Sequence, residues 1–205
     1  EPIDVVPCRT VDLMVPAFAE LVIEGRISSS YLEPEAPFGE YTGYMGPRGM
    51  AAVFASMASQ LHAGDRVVAS RALFGSCLYI IAEQLPKFGI ETVLVDGIDL
   101  EEWKAALSTE TQCVFLETPS NPVLEIIDIQ TVSDLAHEAG AKIIVDNVFA
   151  TPILQRPLEL GADIVMYSAT KHIDGQGRVL GGAILGGNVR VGLEDSLYIG
   201  KGQLA

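Results

Sequence analysis

Hydrophobic and polar positions change rhythm at about residue 49. Downstream of it, short apolar runs alternate with stretches of helical spacing. Residues 50–62 are rich in Ala, Met, Ser and Leu and are followed by Ala63-Gly64, which predicts a helix. Strands are predicted at 66–70, 91–95, 112–117, 142–146 and 163–167, each a compact run of β-branched and apolar residues. A last, Gly-rich strand is predicted at 179–185. Between them, 76–88 repeats apolar residues at helical spacing and stops at Gly89. Asp99 is placed to cap a helix over 100–107, and Asp128 one that runs to about Ala139 ahead of Gly140. Short buried strands separated by helices predict an α/β fold, a mainly parallel sheet with helices on both faces.

Upstream the rhythm is less regular. Residues 11–15 and 19–24 read as strands, and 31–44, with its Pro, Gly and aromatic residues, reads as a loop. The tail 186–205 has no clear place in the sheet. The expected division is therefore an N-terminal segment 1–47, a core 48–185 and a tail 186–205.

Composition narrows the function. In 205 residues the formal net charge is −14, which disfavours a nucleic-acid surface because a phosphate backbone would be repelled. Hydrophobic residues make up 49% of the chain, enough for a substantial core, yet no apolar run approaches the roughly 20 residues of a membrane helix. The chain opens without Met and without a basic stretch leading an apolar one, so no secretory signal is read and a processed chain or fragment is expected. Cys8, Cys77 and Cys113 form neither a C-x-x-C pair nor a disulfide framework, which points to a reducing, cytoplasmic setting. His62, His137 and His172 lack metal-site spacing, so no metal site is expected.

The chemistry concentrates in Ser168-Ala-Thr-Lys171-His-Ile-Asp-Gly-Gln-Gly-Arg-Val-Leu-Gly-Gly182. Lys171 follows a predicted strand, where open α/β sheets bind ligands, and a lysine there can condense with an aldehyde cofactor. Ser168 and Thr170 flank it and can bond a phosphate on the same molecule. Gly175, Gly177, Gly181 and Gly182 allow sharp turns and a close ligand approach. Taken alone, the stretch reads better as a surface loop with an ordinary lysine. Other polar residues also fall at strand ends. Asp146 can hold a pyridine nitrogen protonated, or be a loop or cap carboxylate. Asn121, in Glu117-Thr-Pro-Ser-Asn-Pro122, can bond a ring oxygen, or be a plain Asn-Pro turn. Phe74 can stack on a flat ring, although by itself it reads better as a core aromatic. Gly49-Met50 opens a helix, whose free N–H groups can take a phosphate.

Together, Gly49-Met50-Ala51-Ala52, Phe74-Gly75, Glu117-Thr-Pro-Ser-Asn-Pro122, Val145-Asp-Asn147 and Ser168-Ala-Thr-Lys171 resemble the Cys/Met-metabolism family of pyridoxal-phosphate enzymes. Arg71-Ala-Leu-Phe-Gly-Ser76 and Lys171-His-Ile-Asp-Gly-Gln-Gly-Arg178 look most like its O-succinylhomoserine sulfhydrylase branch. The resemblance, over about 49–185, implies the fold of the large domain of fold-type I enzymes and pyridoxal 5'-phosphate as cofactor. It implies Lys171 as the catalytic lysine bonded to that cofactor and Asp146 as the pyridine-nitrogen partner. It also implies Asn121 at the ring oxygen, Phe74 on the ring, and Gly49, Met50, Ser168 and Thr170 at the phosphate. A small amino-acid substrate and a homo-oligomer are implied as partners. The implied reaction is replacement of the γ substituent of an activated homoserine ester by a sulfur nucleophile.

The chain also departs from the family. The family's Tyr-x-Arg motif is not found, Arg48 stands where a small residue is usual, and the domain carrying the substrate-carboxylate arginine has no counterpart in these residues. Impaired turnover is therefore expected. The stretches Cys8-Arg-Thr-Val-Asp-Leu-Met-Val-Pro-Ala-Phe-Ala-Glu20 and Glu35-Ala-Pro-Phe-Gly-Glu-Tyr-Thr-Gly-Tyr44 resemble UbiD-like decarboxylases, with Glu35 or Glu40 as the implied metal-holding glutamate. Gly187-Asn-Val-Arg-Val-Gly-Leu-Glu-Asp195 and the residues after it resemble a strand of β-keto acid cleavage enzymes, with Glu194 as the implied zinc ligand and Arg190 and Asp195 beside it. Three readings follow: a pyridoxal-phosphate transferase, or a synthase or lyase of the same chemistry; an inactive mosaic that keeps the fold and at most binds cofactor; and, disfavoured because most of its ligands lack a match, a decarboxylase or metal enzyme.

Overall fold

The computed structural model describes residues 27–29, 41–46, 49–178 and 180–187. The strand readings at 11–15 and 19–24, and the implied ligands Glu35, Glu40, Arg190, Glu194 and Asp195, lie outside the described residues.

The strands are β1 (Ile27–Ser29), β2 (Tyr41–Gly46), β3 (Arg66–Ser70), β4 (Glu91–Val95), β5 (Cys113–Glu117), β6 (Lys142–Asp146), β7 (Ile164–Tyr167) and β8 (Gly182–Gly187). They form a single sheet in the order β1-β2-β8-β7-β6-β5-β3-β4. Strands β3 to β7 pair parallel with one another, whereas β8 runs antiparallel to both β7 and β2. The mainly parallel sheet is thus present, with a reversed strand set into it.

Alternation along the strands divides the core in two. On one face Val68, Val114, Leu116, Ile143, Val145, Val165 and Tyr167 pack under helices α3 (Leu100–Leu107) and α4 (Ile129–Glu138). On the other, Val67, Ala69, Cys113, Phe115, Ile144, Ile164 and Met166 pack under α1 (Gly49–Ala58) and α2 (Gly75–Tyr79). Strands buried on both faces carry no polar alternation, which is why they appear in the sequence as continuous apolar runs. Each fully buried Val, Leu, Ile or Phe contributes about 1.5–3 kcal/mol relative to exposure. Trp103 anchors the α3 face: it is fully buried, and its indole N–H donates to Gly97 O at 2.9 Å.

Local signals set the helix ends. Asp99 accepts from the Glu101 and Glu102 N–H groups, and Asp128 from that of Thr131. Gly89 and Gly140 follow their helices at φ 77° and 76°, a left-handed conformation that a Cβ disfavours.

Three expectations are corrected. Residues 41–44, read as part of a loop, belong to β2, because pairing with β8 satisfies the backbone of this strand despite two glycines and no apolar alternation. The helix expected over 76–88 is α only to Tyr79, then a π turn over Ile80–Gln84 and a 3-10 turn over Leu85–Phe88. Pro86 has no N–H to give to a carbonyl four residues back, so the regular ladder cannot run through it. The last strand spans 182–187 rather than 179–185. A short helix α5 (Thr151–Leu154), unmarked by any periodicity, follows β6.

Candidate functional site

After β3 the chain runs to the edge strand β4, then returns across β3 to build β5, β6 and β7 on the other side. Strand order reverses between β3 and β5. At such a switch point the loops leaving the carboxyl ends of two parallel strands part and leave a crevice. Phe74 is on the loop after β3 and Asn121 on the loop after β5. Asp146 ends β6, and Lys171 lies four residues beyond β7. All four stand at the same end of the parallel block.

Phe74 is 43% exposed, so it is not the core aromatic that its residue type alone favours. Asn121 is half-buried and Lys171 exposed. Asp146 is buried, and its Oδ1 accepts from the Val148 N–H at 3.0 Å. Among the described residues no Lys, Arg or His forms an ion pair with it. Burial pushes its carboxyl up to about 7.

Gly49 and Met50 open α1, and the first turn of this helix is seated directly on the loop after β7. A Cβ built on Gly49 would lie 2.7 Å from both Cβ and Oγ of Ser168. Gly49 and Ser168, more than a hundred positions apart in sequence, are therefore in contact. Thr170 turns its hydroxyl to the Gly181 backbone, accepting from its N–H at 2.9 Å.

The loop that carries Lys171 is tightly folded. The Lys171 N–H donates to Ser168 O at 3.0 Å, and Gly175 N–H to Lys171 O at 2.8 Å. Buried Asp174 gathers the return of the loop, its Oδ2 accepting from the Arg178 N–H at 2.7 Å and the Gln176 N–H at 3.3 Å. Gly175 and Gly177 take φ of 69° and 65°, a region that side chains with a Cβ resist.

The sequence reading passed over Glu117, although it begins a quoted motif. It ends β5, it is buried, and its Oε2 accepts from the Phe74 N–H at 2.6 Å. Its Cα is paired in register with that of Asp146 on β6. Burial, then the neighbouring Asp146 charge, push the Glu117 carboxyl up to about 8, while the backbone N–H groups of Phe74 and Asn121 pull it down. Cys77, on α2, approaches Asp146 Oδ2 at 3.9 Å. The available signal was parity: 113, 115 and 117 share one face of β5, and 144 and 146 share the same face of β6.

Among the described residues no three His, Cys, Asp or Glu side chains are grouped to hold a metal ion, and no helix is long and apolar enough to cross a membrane.

A family model described as Cys/Met metabolism PLP-dependent enzyme matches residues 39–200, which include every one of these residues. The chain belongs to this family. The O-succinylhomoserine sulfhydrylase of Mycobacterium tuberculosis is 63% identical over 138 residues, 67% of this chain and 34% of that protein. The chain thus spans about a third of the length of the curated relatives it matches. Among solved structures, cystathionine gamma synthase from Xanthomonas oryzae superposes with a TM-score of 0.70 at 33% identity, covering 73% of this chain and 38% of that one. A putative O-acetylhomoserine (thiol)-lyase from Campylobacter jejuni, which carries N'-pyridoxyl-lysine-5'-monophosphate, does so with a TM-score of 0.69 at 34% identity over 71% of this chain and 35% of that one. The sheet is therefore that of the fold-type I pyridoxal-phosphate enzymes, and the family's cofactor is pyridoxal phosphate. A second model, a 3-octaprenyl-4-hydroxybenzoate carboxy-lyase Rift-related domain, matches residues 1–62, in line with the UbiD-like resemblance of the N-terminal segment.

Proposed function

We propose that the chain provides the cofactor site for a γ-replacement, in which a sulfur nucleophile takes the γ position of an activated homoserine ester and the acyloxy group leaves as a carboxylate. The observation that carries this reading is Asp146: a buried carboxylate, unpaired with any cation among the described residues, one strand from the Lys171 loop. A protonated pyridine nitrogen is the kind of partner that such a carboxylate lacks. The contact of Gly49 with Ser168 supports the phosphate end of the site, because removing a Cβ there lets helix N–H groups and a hydroxyl converge.

In this reading Lys171 would hold the cofactor through its aldehyde group, and its amine, freed when the substrate amine takes its place, would take and return protons at the substrate's α and β carbons. Phe74 covers one ring face and Asn121 donates to the ring oxygen. Gly49 and Met50 offer backbone N–H groups to the phosphate, and Ser168 and Thr170 their hydroxyls. Bound pyridoxal phosphate supplies an electron sink conjugated with the substrate's α carbon. The substrate is a small amino acid, the assembly a homo-oligomer and the setting cytoplasmic. Exposed Ile153, Leu154 and Val123 support the oligomer, since apolar surface of this kind marks interfaces. The division at about residues 47 and 185 belongs to the same reading.

Likeness to a cystathionine gamma synthase supports a second reading, in which the same lysine serves a synthase or lyase reaction. A third keeps the fold and at most binds cofactor, without turnover. The deciding experiment adds pyridoxal phosphate to the purified chain and follows the visible absorbance. O-succinylhomoserine with sulfide, and then cystathionine, are offered next. A visible band with sulfide-dependent loss of O-succinylhomoserine supports the proposal; a band with no turnover supports the third reading; no band defeats the first two.

A further inference from the structure

Strands β3 and β5 are paired side by side, but the loops leaving them part at the switch point, and among the described residues no backbone–backbone hydrogen bond joins the two loops. One group crosses the gap. Glu117 ends β5, and its Oε2 accepts from the N–H of Phe74, on the β3 loop, at 2.6 Å. Asn121 lies four residues further along the loop that leaves Glu117. Phe74 in turn starts α2, its carbonyl accepting from Cys77 N–H at 2.8 Å and Leu78 N–H at 3.0 Å. Cys77 then returns to Asp146, the register partner of Glu117. A closed circuit thus runs from β5 to the β3 loop, into α2, to the end of β6, and back across the sheet.

A second carboxylate at this place is costly. Glu117 and Asp146 are both buried, with Cα atoms paired across adjacent strands, and no cation among the described residues neutralises either. A core chosen for stability alone would favour an apolar residue in this row, as at Phe115 two positions earlier. What an apolar residue cannot provide is an acceptor that reaches across to the Phe74 N–H on the β3 loop.

We infer that Glu117 is a positioning residue: by receiving the backbone N–H of Phe74 at the point where the Asn121 loop leaves β5, it fixes the ring-stacking loop against the ring-oxygen loop and against the strand end that carries Asp146. This rests on the functional reading above. Glu117 itself touches neither the cofactor nor the substrate. It sets where the two flanking residues stand, and so the orientation of a bound ring.

The test uses the full chain in three variants, Glu117→Ala, Glu117→Asp and Glu117→Gln. Three quantities are read: amide hydrogen exchange at Phe74 without cofactor, the Kd for pyridoxal phosphate, and visible circular dichroism per bound cofactor, which senses ring orientation. Loss of this buried hydrogen bond, which leaves the Phe74 N–H without its acceptor, predicts exchange at Phe74 and a Kd both raised about tenfold or more in Glu117→Ala. The visible dichroism should weaken as well. Glu117→Asp keeps the carboxyl group but withdraws its oxygens by a methylene, so it should behave like the Ala variant, and it carries the test should that variant not fold. Glu117→Gln keeps one acceptor oxygen and should recover most of the dichroism. A role confined to support of the fold would lower the melting temperature without changing dichroism per bound cofactor. That result, or an unchanged Phe74 amide, overturns the inference while leaving the functional reading intact. A wild-type chain that binds no pyridoxal phosphate defeats the functional reading first, and this inference with it.

Discussion

Gly49 and Ser168 approach so closely that no side chain fits between them: a Cβ on Gly49 would lie 2.7 Å from Ser168 Cβ and Oγ and 3.1 Å from its Cα. Two effects compete in Gly49→Ala. Helix propensity favours Ala over Gly by about 0.5–1 kcal/mol in a helix interior, and by less at the first position. Overpacking costs about 1–3 kcal/mol when neighbours must move. Because the Ser168 backbone is also in the way, the second effect should dominate. The expected result is a chain destabilised by about 1 kcal/mol with weaker pyridoxal-phosphate binding. Denaturant unfolding and a cofactor titration measure the two. A variant more stable than wild type would show that the helix end can move away freely.

Lys171→Ala should abolish the visible absorbance band that the wild-type chain develops with pyridoxal phosphate, since no other amine is held on this loop. Lys171 is exposed on a loop fixed by Asp174, so the substitution should leave the far-ultraviolet dichroism unchanged. Persistence of the band in the variant would assign the covalent bond to another lysine.

Asp146→Ala separates binding from chemistry. The phosphate end of the site is remote from β6 in sequence and is untouched, so cofactor should still bind. A pyridine nitrogen without a carboxylate partner is a poorer electron sink, so most turnover should be lost. Measuring Kd and kcat together distinguishes the outcomes; a kcat close to wild type would remove Asp146 from the role proposed for it.

Much of the fold was legible because the signals were local. Asp99 and Asp128 announce their helices, and the strands at 66–70, 91–95 and 142–146 are apolar runs bounded by turn residues. β2 was not legible, because a Gly-containing strand is specified by its partner β8 rather than by its own alternation. In the site, Lys171, Asp146 and Asn121 could be placed because each follows a strand. The role of Glu117 was hidden: its meaning depends on a backbone N–H 43 residues earlier and on the register of β5 with β6, both of which exist only in the folded chain.

The same pair makes stability depend on pH in a direction opposite to that of most paired carboxylates. Burial raises the Glu117 carboxyl from its ordinary value near 4.5 to about 8 and Asp146 from 3.8 to about 7. The groups facing them are each other and the Cys77 thiol, itself pushed up by burial and by both carboxylates, so none of them supplies a compensating positive charge. Between those limits the folded chain keeps protons that the unfolded chain has released. The unfolded state therefore binds fewer protons, and stability falls as pH rises. With respect to this pair the cofactor-free chain should be most stable below about pH 4, lose stability progressively to about pH 8, and change little beyond it. Glu117→Gln removes the titration of one member and relieves the repulsion on the other, so its melting temperature should fall less over the same range. Thermal unfolding of both chains across this pH range gives the comparison. A wild-type stability that climbs through neutral pH, or a variant with the same slope as wild type, would mean that the two carboxylates are ionised at no cost in the folded chain, against the burial seen at the ends of β5 and β6.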